Sequence, residues 1–288
     1  MSEKKGKKKK QMINKAKKIR SIVMMSLMCI MLLSAATYAW FSLSNAAKMS
    51  NLTMTVGAAK GLQIADDPGS STPADTAWTT SINAPNVKGK LMPATYDGGT
   101  FYKPEYNDDG KVESVTTTNV VELTSANDDA NKEGNYYTMT FYMKSVGADS
   151  QVCLVQGTDL ASTSRKGTYV VNNVTAAQDA AAAIRIAITV GSTTKVYEPN
   201  ADTNFTGNFA TINYSPKKSD NVTTIMQSNT GAFTNSTGTG NSDPIFSLTK
   251  DEATKVTLHI WIEGEDAHCV NEIQLGNLIG QLQFEQVS

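Results

Sequence analysis

The amino-acid sequence predicts a mainly β protein: an antiparallel, jelly-roll-like β-sandwich with one short helix and long loop insertions, preceded by a signal-peptide helix. Three observations support this. Apolar and polar side chains alternate in many segments, turn-forming residues separate those segments, and sustained 3.6-residue periodicity is nearly absent. Successive side chains of a strand point to opposite faces, so each alternating segment predicts a strand with one buried face.

The clearest alternation occurs in four segments, residues 136–143, 184–190, 255–262 and 278–284. Shorter strand candidates are residues 52–56, 62–65, 119–123, 152–156 and 168–171. Many strands with one half-polar face, joined by turns, favour two sheets packed face to face.

The alanine-rich stretch 175–183 predicts a short helix that leads into the strand at 184. Two stretches, near residues 66–118 and 199–250, contain loop-forming Ser, Thr, Asn, Gly and Asp. We therefore expect one β-sandwich domain over residues 40–288 with loop-rich insertions at these two places.

Residues 1–39 have the three parts of a secretory signal peptide. A basic segment is followed by an apolar run at 22–33 and by small residues at 34–39, which predicts cleavage between Ala39 and Trp40. Cleavage after Ala36 also satisfies the chemistry. The strict apolar run is shorter than the roughly 20 residues of a spanning helix. We expect a secreted or cell-surface protein that contacts the membrane only through its leader, and that stays anchored if the leader is not cut.

Removing the leader changes the charge balance of the chain. The leader holds ten of the 26 Lys and Arg and one of the 27 Asp and Glu, which leaves a net charge of about −10 on residues 40–288. Binding of phosphates requires clustered cations, so this balance excludes a nucleic-acid partner.

The chain offers little for catalysis, with His259 and His268 as its two histidines. No His-Glu-x-x-His pattern is present, and no nucleophile motif either. Glu263, Asp266 and His268 are weak candidates for a metal site. The alternative is a tight acidic turn between the last two strands. We therefore expect no enzyme activity and no cofactor.

Cys153 and Cys269 are the two cysteines outside the leader. In an oxidising compartment they can form one disulfide, but spacing alone does not establish the pairing. Two buried thiols that pack as small apolar side chains are the alternative.

Three short segments, residues 36–42 (ATYAWFS), 51–57 (NLTMTVG) and 61–64 (GLQI), resemble the start of the TasA/camelysin family of secreted surface proteins of Gram-positive bacteria. Residues 260–266 (IWIEGED), with Cys269 after them, also resemble a segment of many surface proteins of anaerobes that have this kind of leader. The resemblance covers about a third of the chain. It implies a jelly-roll sandwich, leader removal by a SipW-type signal peptidase, and a structural role at the cell surface or in the biofilm matrix.

Some members of that family assemble into fibres by donating an N-terminal strand, a role that the resemblance transfers to Leu52, Met54 and Val56. Pairing of this strand within its own domain is the simpler arrangement. Two other functions remain open. One is a monomeric adhesin or glycan-binding module that uses Trp78, Tyr96, Phe101, Tyr102 and Tyr106. The other is a camelysin-like metalloprotease, although the chain carries no zinc motif.

Overall fold

The computed structural model divides the chain into two compact units, Met1–Ser44 and Asn45–Ser288. The residues that the structure describes are 20, 23–26, 28, 47–56, 61–83, 89–107, 112–124, 132–155, 157, 164–172, 178–197, 244–266, 268–269 and 277–287.

In the first unit the described residues 20, 23–26 and 28 are helical and exposed. Across the described residues of the chain, no helix is long and apolar enough to cross a membrane. The predicted cleavage position, Ala39 and Trp40, lies outside the described residues.

The described residues of the second unit form β-strands, a 3₁₀ helix (Asp75–Ala77) and a short α-helix (Gln178–Ala183), the last of which agrees with the helix predicted at 175–183. The strands are β1 (Ala47–Val56), β2 (Leu62–Asp66), β3 (Ser81–Asn83), β4 (Lys90–Leu91), β5 (Pro93–Tyr96), β6 (Phe101–Tyr106), β7 (Val112–Thr116), β8 (Glu122–Leu123), β9 (Glu133–Gly134), β10 (Tyr136–Ser145), β11 (Ser150–Leu154), β12 (Tyr169–Asn172), β13 (Ile184–Val190), β14 (Thr193–Tyr197), β15 (Phe246–Leu248), β16 (Thr254–Glu263) and β17 (Asn277–Val287).

Among the described residues these strands form a sheet of eight and a sheet of nine. The first sheet has the order β15-β11-β17-β1-β4-β9, with β12 beside β17 and β3 beside β1. The second has the order β14-β13-β16-β5-β6-β7, and β10 pairs with β16, β2 and β8. The mainly β class predicted from the alternation is confirmed.

The sheets are mixed but rich in antiparallel pairs, so the predicted antiparallel arrangement holds for most of the pairs and not for all of them. Eleven of the fifteen pairings between described strands are antiparallel. The four parallel pairs are β1 with β17, β10 with β8, β16 with β5 and β4 with β9. Side-chain alternation has the same period in both directions, so it does not encode the relative direction of two strands.

One apolar core contains side chains from both sheets, as the alternating pattern requires. Phe141 of β10 and Phe284 of β17 are fully buried, and their ring centroids lie 6.0 Å apart. Along β10 every second residue is buried, and β16 contributes Val256, Leu258 and Ile260 to the same core. The two sheets therefore face each other across a shared interior.

The stretch near 66–118, predicted to be a loop-rich insertion, contributes short strands to both sheets as well as connecting segments. It contains the five strands β3 to β7, all of them six residues or shorter. Pro93 and Pro104 lie within strands, and turn residues separate them, so the composition resembles that of a loop. In the second stretch, near 199–250, β15 forms part of the first sheet, and residues 199–243 lie outside the described residues.

The β5–β6 hairpin builds a second, smaller apolar cluster. Tyr96 and Phe101 stack with ring centroids 4.4 Å apart, and both pack edge-on against Trp261 of β16. Trp261 follows Ile260, which faces the main core, so this cluster lies on the outer face of the second sheet. The outer face is therefore partly covered rather than fully exposed to solvent.

Replacing Phe141 with Ala should remove about 3–5 kcal/mol from the free energy of unfolding, because a fully buried aromatic side chain is lost and a cavity remains. Urea denaturation of the second unit measures this. Val146 is 47 % exposed, so Val146→Ala is the control and should change the stability by less than about 0.5 kcal/mol. Equal effects of the two changes would contradict the assignment of the core.

Candidate functional site: the first strand and the buried carboxylate turn

The first strand of the second unit lies inside its sheet. On one side β1 pairs in parallel with β17, from Lys48 opposite Asn277 to Val56 opposite Phe284. On the other side it pairs antiparallel with β3 and β4. The strand therefore has hydrogen-bonded neighbours along both edges.

A bulge interrupts β1 and changes which residues face the core. Ala47 and Met49 are buried, and after the register shift between Met49 and Asn51 the buried residues are Leu52, Met54 and Val56. An extra residue in one strand shifts the alternation by one position. The sequence pattern predicted a strand only over residues 52–56 because the alternation of apolar and polar residues is interrupted at this bulge.

Leu52, Met54 and Val56, the residues of the predicted donor strand, lie in the main core of their own chain. Each is at most 5 % exposed. In this structure β1 therefore pairs within its own domain, and its inward side chains occupy the place that a donated strand would take.

The second notable region is the turn that follows β16, in which three carboxylates are buried. Glu263, Glu265 and Asp266 are each at most 1 % exposed, and Arg185 of β13 is 2 % exposed. Charged groups are rarely buried without a partner, because desolvation costs several kcal/mol per ion. The contacts of each group therefore determine how the turn is stabilised.

Arg185 and Asp266 form a buried ion pair between the guanidinium Nη2 and the carboxylate Oδ2. Nη1 of Arg185 also donates to the carbonyl oxygens of Ala182 and Ile184, each at 2.9 Å. The other oxygen of Asp266 accepts a 2.8 Å hydrogen bond from the backbone of His268 and lies 2.9 Å from its Nδ1. Burial would raise the pKa of Asp266, but the Arg185 charge and the bonds from His268 hold it below its ordinary value.

Glu263 has a different environment. Its Oε2 accepts a 2.9 Å hydrogen bond from Nε1 of Trp261, and its Oε1 accepts a 3.1 Å bond from the backbone of Glu265. Burial dominates nevertheless and raises the pKa of Glu263 to about 7, although the Trp261 bond and the Arg185 charge act in the opposite direction. Near neutral pH this carboxyl group is therefore partly protonated.

The rest of the turn is held by β5 and β6. Thr95 donates to Oε2 of Glu265 at 3.3 Å, and the backbone of Gly264 donates to the carbonyl of Ala94 at 2.7 Å. The hydroxyl of Tyr106 donates to the carbonyl of Gly264 at 3.0 Å. A side chain at Gly264 would lie 2.4 Å from Cγ of Pro104, so the close approach of β6 requires glycine here.

The metal candidates are only partly brought together. Asp266 and His268 are in contact, but the carboxylate of Asp266 is also paired with Arg185, and Glu263 is bonded to Trp261. Among the residues that the structure describes, no group of three or more His, Cys, Asp or Glu could hold a metal ion. The arrangement fits the predicted acidic turn, with Arg185 as a partner that sequence spacing did not reveal.

The two cysteines are not bonded to each other, so the disulfide is not formed in this structure. The thiol of Cys153, in β11, contacts the carbonyl of Glu285 at 3.7 Å. The thiol of Cys269 lies 3.6 Å from the hydroxyl of Tyr106, beyond the end of β16. Both are buried, which corresponds to the alternative of two buried thiols.

The aromatic residues proposed for glycan binding have separate roles in packing and hydrogen bonding. Tyr96 and Phe101 belong to the second apolar cluster, and Tyr106 supports the carboxylate turn. The hydroxyl of Tyr102 donates to Asp97 at 2.9 Å, and Lys144 lies over the ring of Trp78 at 4.3 Å. They do not form one continuous aromatic surface.

Comparison of the chain with models of known protein families, with curated proteins and with solved structures gave no match.

Replacing Glu263 with Gln should make the protein less sensitive to alkaline pH. A raised pKa means that the stability contributed by protonated Glu263 is fully present below its unfolded value of 4.5 and is lost as pH rises through about 7. Between pH 5 and pH 8 the free energy of unfolding of Glu263→Gln should therefore increase, relative to that of the unchanged protein, by on the order of 2–3 kcal/mol. Urea denaturation across this range measures the difference.

The matched control is Glu113→Gln in β7, where the side chain is exposed. It should leave the pH profile unchanged. A Glu263→Gln profile parallel to that of the unchanged protein would contradict the raised pKa.

Replacing Arg185 with Met should cost about 3–5 kcal/mol of stability near neutral pH, because Asp266 is left buried without its cation. The loss should shrink in Arg185→Met/Asp266→Asn, which removes both charges. Thermal or urea unfolding measures both variants, with Lys103→Met as the exposed control in β6. Equal losses for the single and double variants would refute the pairing.

Proposed function

We propose that this chain is an exported structural protein of the cell surface or extracellular matrix, and that copies of it associate by exchanging β1. The proposed fold is a jelly-roll sandwich, supported by two facing sheets in which antiparallel pairs predominate. Export is proposed from the leader pattern, and the class of protein from the resemblance to TasA and camelysin. The proposed partners are a SipW-type signal peptidase and further copies of the chain or other matrix proteins.

One observation supports this proposal most directly. β1 is the first strand of the second unit, and it pairs in parallel with β17 over eight residue pairs while burying alternate side chains in the core. Cleavage between Ala39 and Trp40 would leave a new N-terminus seven residues before Ala47. Such a strand is attached at one end only, so it can leave its own sheet and enter a neighbour's without threading the chain.

The energetics favour exchange over addition to an outer edge. An exchanged β1 would bury the same apolar residues and form the same main-chain hydrogen bonds in a neighbouring copy, so the free energies of the two arrangements differ little per strand. Protein concentration can then shift the balance toward the assembled state. Neither the glycan-binding module nor the protease has a comparable observation behind it among the described residues.

The experiment is electron microscopy and analytical ultracentrifugation of the exported product, after N-terminal sequencing has established where the leader is cut. We expect oligomers or fibres that increase with concentration. The comparison is Thr55→Cys/Gln283→Cys, since these residues are opposite each other on β1 and β17 and neighbouring Cα atoms in a sheet are within disulfide range.

Oxidation of this variant should lock β1 into its own chain and keep the protein monomeric, and reduction should restore assembly. A strictly monomeric exported product at high concentration would refute the proposal. Assembly of the locked variant to the same extent would refute strand exchange as its cause.

A further inference from the structure

The strand that accepts β1 has a gap in its inward row of side chains. On β17 the residues facing the core are Leu278, Gly280, Leu282 and Phe284, and Gly280 is the one without a side chain. A β-carbon placed at Gly280 would lie 3.1 Å from Cδ1 of Leu52, 3.1 Å from the carbonyl oxygen of Tyr169 and 3.2 Å from Cγ2 of Val170. We call this gap, bounded by Leu52 of β1 and Val170 of β12, the Gly280 notch.

Leu52 and Val170 reach the notch from opposite sides of β17. Leu52 is directly opposite Gly280 in the parallel pairing, and Val170 is opposite it in the antiparallel pairing with β12. Leu52 is 2 % exposed and Val170 is fully buried. The absent side chain of Gly280 is thus replaced by atoms of its two neighbours, which keeps the core closely packed.

The notch distinguishes between registers that alternation alone leaves equivalent. A slip of β1 by one residue would turn its apolar face to the outside, so burial already disfavours it. A slip by two residues keeps the faces but places Leu52 opposite Leu278 or Leu282, where two large side chains compete for the same space. Only the observed register places Leu52 opposite glycine.

We propose that the Gly280 notch determines the register in which β17 binds β1, and that Leu52, from its own chain or from a second copy, is the side chain it selects. The part concerning a second copy rests on the proposed strand exchange. The notch is then the specificity-determining element of the acceptor surface, and β1 is its occupant.

The first test measures how firmly β1 is held, by hydrogen–deuterium exchange of its backbone amides in the full exported chain. Gly280→Ala puts a methyl group against Leu52 and should speed exchange in β1 by about tenfold or more relative to β10, through easier local opening. Leu52→Ala should also speed exchange, because it empties the notch.

In the Leu52→Ala background, adding Gly280→Ala should speed exchange by a clearly smaller factor than it does in the unchanged chain, since the contact with Leu52 is gone while those with Tyr169 and Val170 remain. The contacts with Tyr169 and Val170 are present in both backgrounds, so the difference isolates Leu52. Gly99→Ala is the matched control. A β-carbon at Gly99 would lie 3.7 Å from Oδ1 of Asp97, its nearest neighbour, so hydrogen exchange in β1 should not change. An effect of Gly280→Ala that is equal in both backgrounds, or absent, would overturn the proposal.

The second test reads the register directly and leaves Leu52 and Gly280 in place. Chains that carry Gln283→Cys with either Thr55→Cys or Thr53→Cys are treated with dibromobimane, which joins thiols a few ångströms apart. Position 55 is in register with position 283, whereas position 53 would reach position 283 only after a slip of two residues. We expect cross-linking through position 55 alone, and equal yields from both positions would overturn the proposal.

Mixing chains that carry one introduced cysteine each separates this inference from the proposed function. Cross-links between copies at 55 and 283, without cross-links at 53 and 283, would support both strand exchange and its register. No cross-link between copies, with the register intact within each chain, would refute strand exchange and restrict the notch to pairing within one chain.

Discussion

The first sheet is held together by the parallel pairing of β1 with β17. β17 carries β11 and β12 on its other edge, and β1 carries β3 and β4, so this one interface joins the two halves of the sheet. It also joins the first and last strands of the second unit, which are more than 200 residues apart in the chain. Such a contact forms only after the entropic cost of closing a long loop has been met. The folded state of the first sheet therefore depends on the side chains that hold β1 in place.

The carboxylate turn addresses a different constraint, on the outer face of the second sheet. Three carboxylates and one guanidinium are buried there; the carboxylates accept hydrogen bonds from β5, β13, β16 or the turn backbone, and the guanidinium donates to one of them. Such groups stabilise a fold less than an apolar substitute would, but they penalise alternative arrangements in which they lose their partners. The turn therefore fixes how the β5–β6 hairpin and Trp261 pack against the sheet. The pKa of Glu263 is raised and that of Asp266 is lowered, so we expect the turn to lose stability both as pH rises through the raised value and as pH falls through the lowered one.

The long alternating strands were predictable, and so were the short strands β2, β11 and β12, which overlap the candidates at 62–65, 152–156 and 168–171, whereas the short strands β3 to β7 were not. β10, β13, β16 and β17 alternate over seven or more residues, and all four were found from the sequence. β5 and β6 were missed because both faces of β5 are buried and both strands contain proline, which removes the alternation and a ladder donor. Of the candidate sites, Leu52, Met54 and Val56 were identified as one inward face. Arg185, which pairs with Asp266 from 81 residues away, was not.

The sequence by itself determined which side chains face inward along the long strands, and hence that the second unit is built mainly from sheet. That information is local, because it resides in the two-residue period of each segment. Only the tertiary structure decided the direction of the strand pairs, the bulge in β1, the position of Leu52 over Gly280 and the partner of each buried carboxylate. These depend on contacts between residues far apart in the chain, where the size and charge of one side chain are matched to a neighbour that local patterns do not specify.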